Sequence, residues 1–311
     1  MKSGSFTEFE AYAEAIRDVQ LDVRLLRLYE RRWSIRQLEL NGLHIQNGVE
    51  GSGMLTEGTV TPEGWGLYIP DTRDPFPVNG QRIHSEAIAI LPPRAEFRLA
   101  GQGPINWISI FIPNTALKMA DSPVLSLQSA DVICPGRKLV RRLTRNVHAF
   151  LQAADQNPHL VSEASSVNAF EQEISSTVHR ILGVVDSLNE LKRTTLANRR
   201  RLVAIAETLI NDRPELASTV HDVAKCVGIS DRTLLTVFRE HLGVTPQQYL
   251  IANRLHQARR ILKSSDRAET TVAKVAAEVG FWDFGRFSRK NQTLFGELPS
   301  ETLHQRVGRL E

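Results

Sequence analysis

The chain has 311 residues, of which 41% are hydrophobic and 23% are charged. This is an ordinary composition for a globular protein, and it excludes the fibrous and disordered classes. Strongly apolar runs such as WISIFI, residues 107–112, are far too short to cross a bilayer, and the N-terminus has no apolar core of the signal-peptide type. We therefore expect a cytoplasmic protein of two domains, or one large one, without a membrane partner.

The cysteines give no sign of a metal site. Cys134 and Cys226 lie 92 positions apart, without a CxxC motif or a histidine at ligand spacing. Neither a disulfide framework nor a zinc site is expected, and no cofactor is predicted.

The net charge of +3 is unevenly distributed. Residues 196–311 contain 18 Lys and Arg against 13 Asp and Glu, a net charge of +5, and residues 1–195 carry −2. The basic excess in the last third favours a nucleic acid or another acidic partner there, although five charges over this length are a mild signal.

The first third has the pattern of an all-β fold. A short helical segment at residues 6–16 is followed, up to Pro113, by β-prone runs that are separated by glycine and proline. The runs are SIRQLELNG, WGLYIP, EAIAILPP and INWISIFIP, with turn signals at Asn41-Gly42 and Asn79-Gly80. Several short strands at this spacing predict a sandwich or a barrel.

From Gly136 the apolar period becomes helical. One stripe is Leu139, Leu143, Val147 and Leu151, and a second is Val167, Phe170, Ile174, Val178, Ile181, Val185 and Leu188. Such stripes pack on their own domain or, less often, form a dimer interface, and both alternatives stay open here. The pattern from residue 198 to residue 303 is helical throughout.

The C-terminal third contains an internal repeat. Residues 219–250, TVHDVAKCVGISDRTLLTVFREHLGVTPQQYL, align with residues 271–303, TVAKVAAEVGFWDFGRFSRKNQTLFGELPSETL. Thr219, Val223, Ala224, Val227, Gly228 and Asp231 recur 52 positions later as Thr271, Val275, Ala276, Val279, Gly280 and Asp283. One inserted residue then pairs Leu234 with Phe287 and Pro246 with Pro299. Agreement at this many positions indicates a duplication.

Each copy has the sequence form of a helix-turn-helix. A short helix with Val-Ala on its buried face ends at a glycine, and after a tight turn comes a second helix that carries cations, here called the reader helix. In this motif the first helix braces the second, which enters a major groove. Ser230 is the predicted N-cap of the first reader helix, residues 231–241. Leu234, Val237 and Phe238 are predicted to face inward.

The second copy contains the same division into an anchor and an outer face. The predicted apolar anchor of its reader helix is Phe281, Trp282, Phe284 and Phe287. Its predicted outer face is Arg286, Ser288, Arg289 and Lys290.

A long helix, here called the connecting helix, is predicted between the copies. Thr245 fits an N-cap, Pro246 the first helical position, and Gln248 the partner in a capping box, so the helix should run to about Ser264. Nineteen residues at ~1.5 Å each give roughly 28 Å, close to the ~34 Å between successive major-groove segments on one side of B-DNA. The two reader helices can therefore reach adjacent groove segments.

Residues 198–305 resemble the DNA-binding domain of AraC/XylS-type transcription regulators. The segments that carry this resemblance are VAKCVGISDRTLLTVFREHLGVTPQQYL, RLHQARRIL and, most specifically, VAAEVGFWDFGRFSRKNQTLFGELPSETL. The resemblance implies seven helices, two helix-turn-helix units and an asymmetric promoter half-site for each subunit. It also implies RNA polymerase as a partner and activation rather than repression. By position, the base-reading candidates are Arg232, Leu235, Thr236, Arg286, Ser288 and Arg289, and the wider DNA-binding set adds Thr233, Arg239 and Lys290.

Two departures from the family pattern affect these assignments. Leu235 and Thr236 stand where the family often has polar or cationic residues, so they can touch a thymine methyl group but cannot make a bidentate contact to guanine. Asn291 stands where the family usually has an aromatic residue. Phosphate contacts outnumber base contacts in such interfaces, so we assign Arg239, Lys290 and residues 199–201 to phosphate or water. For Arg232 and Arg286 both roles stay open.

The N-terminal part resembles the sensor domains of this family in architecture only, which implies a small effector. The candidate effector residues are Trp65, Tyr68, His84, Glu86 and Trp107, although each aromatic side chain could instead be core or rim. His84 and Glu86 could be metal ligands, but the further histidines and glutamate of a metal-binding cupin are missing, so no metal is predicted.

No enzyme motif occurs: GxSxG, GxxxxGK[ST] and HExxH are absent, as is GxGxxG after a strand. We therefore predict a non-enzymatic α+β protein with a mainly-β, cupin-like barrel or sandwich at residues 1–135, a helical linker with possible dimerisation helices at 136–195, and an all-α DNA-binding domain at 196–311. The predicted function is an effector-responsive, homodimeric transcription regulator that binds double-stranded DNA. The alternatives are a dimeric regulator that senses nothing, and a cupin-type metal enzyme fused to a DNA-binding domain.

Overall fold

The computed structural model describes residues 1–40, 43–72, 74–115, 129–182, 190–265 and 270–304, with only the backbone of 190–197. The predicted turn at Asn41-Gly42 and the stripe positions Val185 and Leu188 lie outside the described residues. The strands are β1 Lys2–Phe6, β2 Val19–Arg27, β3 Trp33–Leu40, β4 Leu43–Glu50, β5 Gly53–Val60, β6 Gly64–Asp71, β7 Phe76–Val78, β8 Gln81–Ile83, β9 Ile88–Leu91, β10 Glu96–Ala100, β11 Ile105–Pro113 and β12 Asp131–Ile133. The α-helices are α1 Phe9–Ala15, α2 Arg137–Gln156, α3 Ala164–Leu182, α4 Glu190–Asp212, α5 Val220–Val227, α6 Asp231–Leu242, α7 Pro246–Ser264, α8 Val272–Glu278, α9 Phe284–Phe295 and α10 Pro299–His304.

The strands form two antiparallel sheets that pack as a sandwich. One sheet has the order β1-β3-β4-β11-β6-β9-β12 and the other β2-β5-β10-β7-β8. Neither sheet closes on itself, so the predicted choice between barrel and sandwich is decided for the sandwich. Leu25, Met54, Tyr68, Phe97 and Trp107 belong to the buried cluster on the inner side.

The seven-stranded sheet is buried on both faces, which explains its nearly continuous apolar strands. In β11, Trp107 and Phe111 belong to the cluster inside the sandwich, whereas Ile108, Ile110 and Ile112 belong to a second cluster on the outer face. Successive side chains of a strand point to opposite faces. A run such as WISIFI therefore needs apolar partners on both sides.

Helices α2 and α3 provide those partners on the outer face. Val140, Leu143, Val147 and Leu151 of α2 are fully buried in the outer cluster, together with Ile174 and Ile181 of α3. Of the two alternatives for the stripes, the described residues show packing on their own domain. A dimer contact in this part of the chain would have to use other side chains.

Seven helices, α4 to α10, follow residue 190 in the described chain, the number that the family resemblance implies. Helices α5 and α6 form the first helix-turn-helix unit, and α8 and α9 form the second. Gly228 ends α5 in the left-handed conformation, with φ of 77°, and the hydroxyl of Ser230 accepts a hydrogen bond from the Thr233 amide to cap α6. Both features confirm the sequence prediction.

The connecting helix is α7, and it begins and ends where predicted. Thr245 and Gln248 form a capping box, Pro246 is the first helical residue, and the helix ends at Ser264. The Thr245 hydroxyl accepts from the Gln248 amide at 3.2 Å.

Replacing Thr245 by alanine is expected to lower the free energy of unfolding by about 1 kcal/mol, because the first turn of α7 loses its side-chain acceptor. Urea unfolding followed by circular dichroism measures this loss. The control is Gln247→Ala, since Gln247 is exposed beside the cap and makes no capping contact. Equal stability of T245A and Q247A would show that the cap contributes nothing.

Candidate nucleic-acid interface

The first reader helix, α6, divides into a buried side and an exposed side. Leu234, Val237 and Phe238 are buried at 0%, 3% and 0% exposure, as predicted. The predicted DNA-binding residues Arg232, Thr233, Thr236 and Arg239 are exposed, and Leu235 is half-buried. The structure thus brings these five side chains to the accessible part of one helix, and their role in DNA binding stays a prediction.

The predicted anchor of the second reader helix, α9, is only half correct. Phe287 is fully buried, and Phe281 packs on it with 5.2 Å between ring centroids. Trp282 and Phe284 are instead 82% and 46% exposed, so the assignment of these two residues to the anchor was wrong.

The cap of α9 explains this difference. The Asp283 carboxylate accepts a hydrogen bond from the Arg286 amide at 2.8 Å and fixes the start of the helix at Phe284. The side chains that then face the core recur at helical spacing, and they are Phe287, Asn291, Leu294 and Phe295. Trp282 precedes the cap and Phe284 occupies the first turn, so neither lies on this face.

Around the rest of α9 lie the predicted outer-face residues. Arg286 and Arg289 are exposed, while Ser288 and Lys290 are half-buried. The departure at Asn291 has a clear structural role: this side chain is fully buried, and its Nδ2 donates to the Glu297 carbonyl oxygen at 2.8 Å. A hydrogen bond to the chain after α9 thus stands where the first unit has the packed ring of Phe238.

Helix α7 contributes to the cores of both units. Near its start, Tyr249 packs edge-on against Phe238, with 5.6 Å between ring centroids. Further along, Leu255 and Leu262 share a cluster with Val275 and Phe287 of the second unit. One continuous helix therefore supports both units.

The helical domain packs on the N-terminal part through two groups of charged residues, which we call the domain joint. The first group centres on Arg98 of β10, whose guanidinium lies 2.8 Å from Glu57 and 2.6 Å from Glu207 of α4. Arg24 of β2 bonds Glu57 at 2.8 Å and donates to the Tyr249 hydroxyl at 2.7 Å. Two arginines and one glutamate of the sandwich thus meet Glu207 of the helical domain, and burial raises the pKa of Glu207 to about 7.

The second group centres on Arg259 of α7, which is 3% exposed. Its guanidinium lies 2.8 Å from Glu8 of the N-terminal part and 2.8 Å from Glu297, which is itself 3% exposed. Glu10 is 3.5 Å away. Sequence reasoning missed this site, because Glu8 and Arg259 are 251 positions apart and no local pattern pairs them.

Apolar contacts surround the second group. His256 of α7 lies between Phe9 and Phe295, with ring centroids 5.8 and 5.0 Å away, and its Nε2 is 2.9 Å from the Leu25 carbonyl oxygen. Phe9, Leu25 and Phe295 belong to one continuous buried cluster. The N-terminal sandwich and the second helix-turn-helix unit therefore share a core.

The contribution of His256 to the stability of this shared core is expected to fall as the pH is lowered from about 6.5 towards 4. Burial, with repulsion from Arg24 and Arg259, lowers the pKa of His256 from 6.5 to about 4. The unfolded chain therefore takes up the proton first, and stabilisation by the neutral ring is lost between these two values. Each pKa unit corresponds to about 1.4 kcal/mol.

Urea unfolding at pH 7 and pH 5 checks this expectation against His256→Gln, which cannot titrate. Wild type and variant should differ only by the His256 contribution, because His241, whose pKa burial lowers to about 4, and Glu50, whose pKa burial raises to about 7, titrate in both proteins. An unchanged pH dependence in H256Q would contradict the assignment.

The predicted effector residues divide among different places. Tyr68 and Trp107 lie together inside the sandwich, with 5.9 Å between ring centroids. The Trp107 Nε1 is 3.0 Å from both Glu50 Oε1 and the Tyr12 hydroxyl, and burial raises the pKa of Glu50 to about 7. A mainly apolar cavity of about 60 Å³ adjoins Glu50, Tyr68 and Trp107. Sequence reasoning missed Tyr12 and Glu50, which carry no motif.

The other three predicted effector residues lie outside this cavity. Trp65 belongs to the outer cluster under α2 and α3. Glu86 forms an ion pair with Arg137 Nε at 2.7 Å, and the His84 Nδ1 accepts from the Glu86 amide. The five predicted residues therefore do not form one pocket.

The described part of the chain contains no group of three His, Cys, Asp or Glu side chains arranged to hold a metal ion. Cys134 and Cys226 are exposed free thiols. None of its helices has the length and apolar character needed to span a membrane.

Comparison with known proteins places the C-terminal part. A family model described as "Helix-turn-helix domain" matches residues 223–305. The chain is 33% identical over 94 residues to the XylDLEGF operon transcriptional activator 2 of Pseudomonas putida, covering 30% of this chain and 60% of that protein. It is 40% identical over 80 residues to the transcriptional activator RhaS of Pectobacterium carotovorum, covering 26% and 28%.

The same part of the chain is also similar in sequence to a solved structure. The chain is 30% identical to a probable AraC family transcriptional regulator from Rhodopseudomonas palustris, covering 34% of this chain and 96% of that one, with a TM-score of 0.31. The aligned part covers only 25% to 60% of the first curated relatives. The duplicated helix-turn-helix units and these sequence identities identify the C-terminal part as an AraC-type DNA-binding domain, similar to those of AraC/XylS-family activators.

Proposed function

We propose that the protein is a sequence-specific transcription regulator that binds double-stranded DNA with two reader helices in adjacent major-groove segments. The observation that carries this proposal is the pair of exposed cationic helices, α6 and α9, supported by the single helix α7. Relatives with matching C-terminal domains are named transcriptional activators. We therefore propose activation, in the cytoplasm, with RNA polymerase as a partner.

The chemistry of each exposed side chain gives it a role. Arg232, Arg286 and Arg289 can make bidentate contacts to guanine, while Leu235 and Thr236 can touch thymine methyl groups. Ser288 stays a base-reading candidate, since a serine hydroxyl can bond either kind of base pair. Thr233, Arg239 and Lys290 are assigned to phosphate contacts that fix the register.

Effector response is a further part of the proposal. The sandwich and the helical domain share a buried core and two charged groups. A ligand that binds two arrangements of the sandwich with different affinity would therefore change how the reader helices are placed. The mainly apolar cavity beside Glu50 supports binding of a small ligand inside the sandwich. Its volume is only about 60 Å³, and this small size supports the alternative of a regulator that senses nothing.

Domain boundaries and oligomeric state belong to the proposal as well. The packing of α2 and α3 on the sandwich supports one N-terminal unit that extends beyond residue 135 and into the predicted linker at 136–195. The helical domain then covers the rest, close to the predicted 196–311. We propose a homodimer, because two asymmetric half-sites require two subunits.

Two substitutions on α9 test the DNA assignment. Arg286→Ala is expected to cost about 1 to 3 kcal/mol of binding free energy and to relax specificity at one base pair. Lys290→Ala should weaken all sequences alike and reduce the slope of log K against log salt by about 1. Fluorescence anisotropy with a selected duplex and a random duplex, over a salt series, distinguishes the two effects. Equal losses on both duplexes for both variants would contradict the assignment.

A further inference from the structure

Trp282 differs sharply from the other tryptophans of the chain. Trp33, Trp65 and Trp107 are 1%, 4% and 3% exposed, whereas Trp282 is 82% exposed. Phe284, two residues later, is 46% exposed. Large aromatic side chains in water forgo the stabilisation that burial gives, so a pair of them at one place indicates a contact made with a partner.

The position of the pair shows which partner. Trp282 and Phe284 flank Asp283, the N-cap of α9, and Arg286 is exposed one turn further on. The N-terminal residues of a reader helix are those that contact base edges. The carboxylate of Asp283 already accepts from the helix amide, and the exposed arginines favour a polyanion beside the two rings.

The first unit has no such pair. At the corresponding place around its cap, Ser230, it has Ile229 and Asp231, and Ile229 packs against the core of that unit. Of the two reader helices, only the second therefore has the aromatic pair. The two helices would then prefer different bases in their groove segments.

We propose that Trp282 and Phe284 form an apolar DNA-reading element that contacts thymine methyl groups in the groove segment of α9. This inference rests on the proposed function. Apolar side chains recognise thymine through its C5 methyl group, which the major groove exposes. The element complements the arginines of α9, which favour guanine, and predicts a thymine beside the guanine in that half of the site.

The exposure of Trp282 allows a direct test with the full-length protein. The probe is a duplex carrying the motif enriched from a random DNA pool, and binding is followed independently by anisotropy of a label on the DNA. Acrylamide should quench Trp282 in the free protein, and the duplex should shield it. Trp282→Phe identifies the quenchable signal, since it should remove most of the quenching and leave the folded core intact.

A second experiment tests the methyl contact. Replacing the proposed thymine by deoxyuridine removes only the methyl group, and it should weaken wild-type binding roughly fourfold. The variant with both W282A and F284A should bind more weakly and lose this difference, whereas Gln292→Ala, an exposed position further along α9, should keep it.

The outcomes separate the two proposals. Two results would overturn the aromatic element and leave the DNA-binding function standing. One is binding, measured by anisotropy, that leaves Trp282 as open to acrylamide quenching as in the free protein. The other is a deoxyuridine substitution that weakens binding equally in the wild type and the double variant. Shielding of Trp282 only when RNA polymerase is added would also overturn it, in favour of a protein contact. Failure to bind any duplex would refute both.

Discussion

Replacing Arg259 by leucine is expected to lower the free energy of unfolding by about 3 to 5 kcal/mol. The guanidinium is 3% exposed and lies 2.8 Å from both Glu8 and Glu297. Without the guanidinium, the buried carboxylate of Glu297 loses its nearest cation, and Glu8 of the N-terminal part loses its ion pair with α7. Urea unfolding at pH 7 measures the loss.

Lys263→Gln is the matched control for this experiment. Lys263 lies one turn further along α7 and pairs with Glu10 at 2.9 Å, but both side chains are 39% exposed. An exposed ion pair contributes at most about 1 kcal/mol. If R259L were as stable as K263Q, Arg259 would not be the centre of the domain joint.

Replacing Phe287 by alanine is expected to cost about 3 to 5 kcal/mol, because it leaves a cavity under the second reader helix. Phe287 is fully buried and packs on Phe281. Specific DNA binding should be lost along with the position of α9. Urea unfolding and anisotropy with a selected duplex measure the two effects.

Trp282→Ala is the control, since Trp282 is 82% exposed on the same unit. Its stability should stay within about 0.5 kcal/mol of the wild type, as for most surface substitutions. A W282A protein as unstable as F287A would restore the predicted four-residue anchor and contradict the fold of this region.

Local signals predicted the helical domain well. The sequence Thr245-Pro246-Gln-Gln248 specifies a helix start by itself, because its capping contacts lie within four residues. The buried positions of α6 likewise follow from helical spacing, which Leu234 and Phe238 obey. The predicted anchor of α9 is half wrong because the cap at Asp283, and not the aromatic composition, decides the buried face.

Contacts between distant segments could not be predicted in the same way. Arg259 meets Glu8 only after the sandwich and the helical domain have packed, and neither residue stands in a recognisable motif. The predicted effector residues lie apart for a similar reason. Strand alternation puts Trp65 and Tyr68 on opposite faces of one sheet, and which face is inside depends on the second sheet and on α2 and α3.

Selection of bound sequences from a random DNA pool, with the full-length protein at physiological salt, tests the central claim most directly. Two reader helices on one connecting helix predict an enriched motif of two short blocks, with centres about one helical turn apart. A single block, or no enriched sequence although the protein binds the pool, would contradict paired reading by α6 and α9.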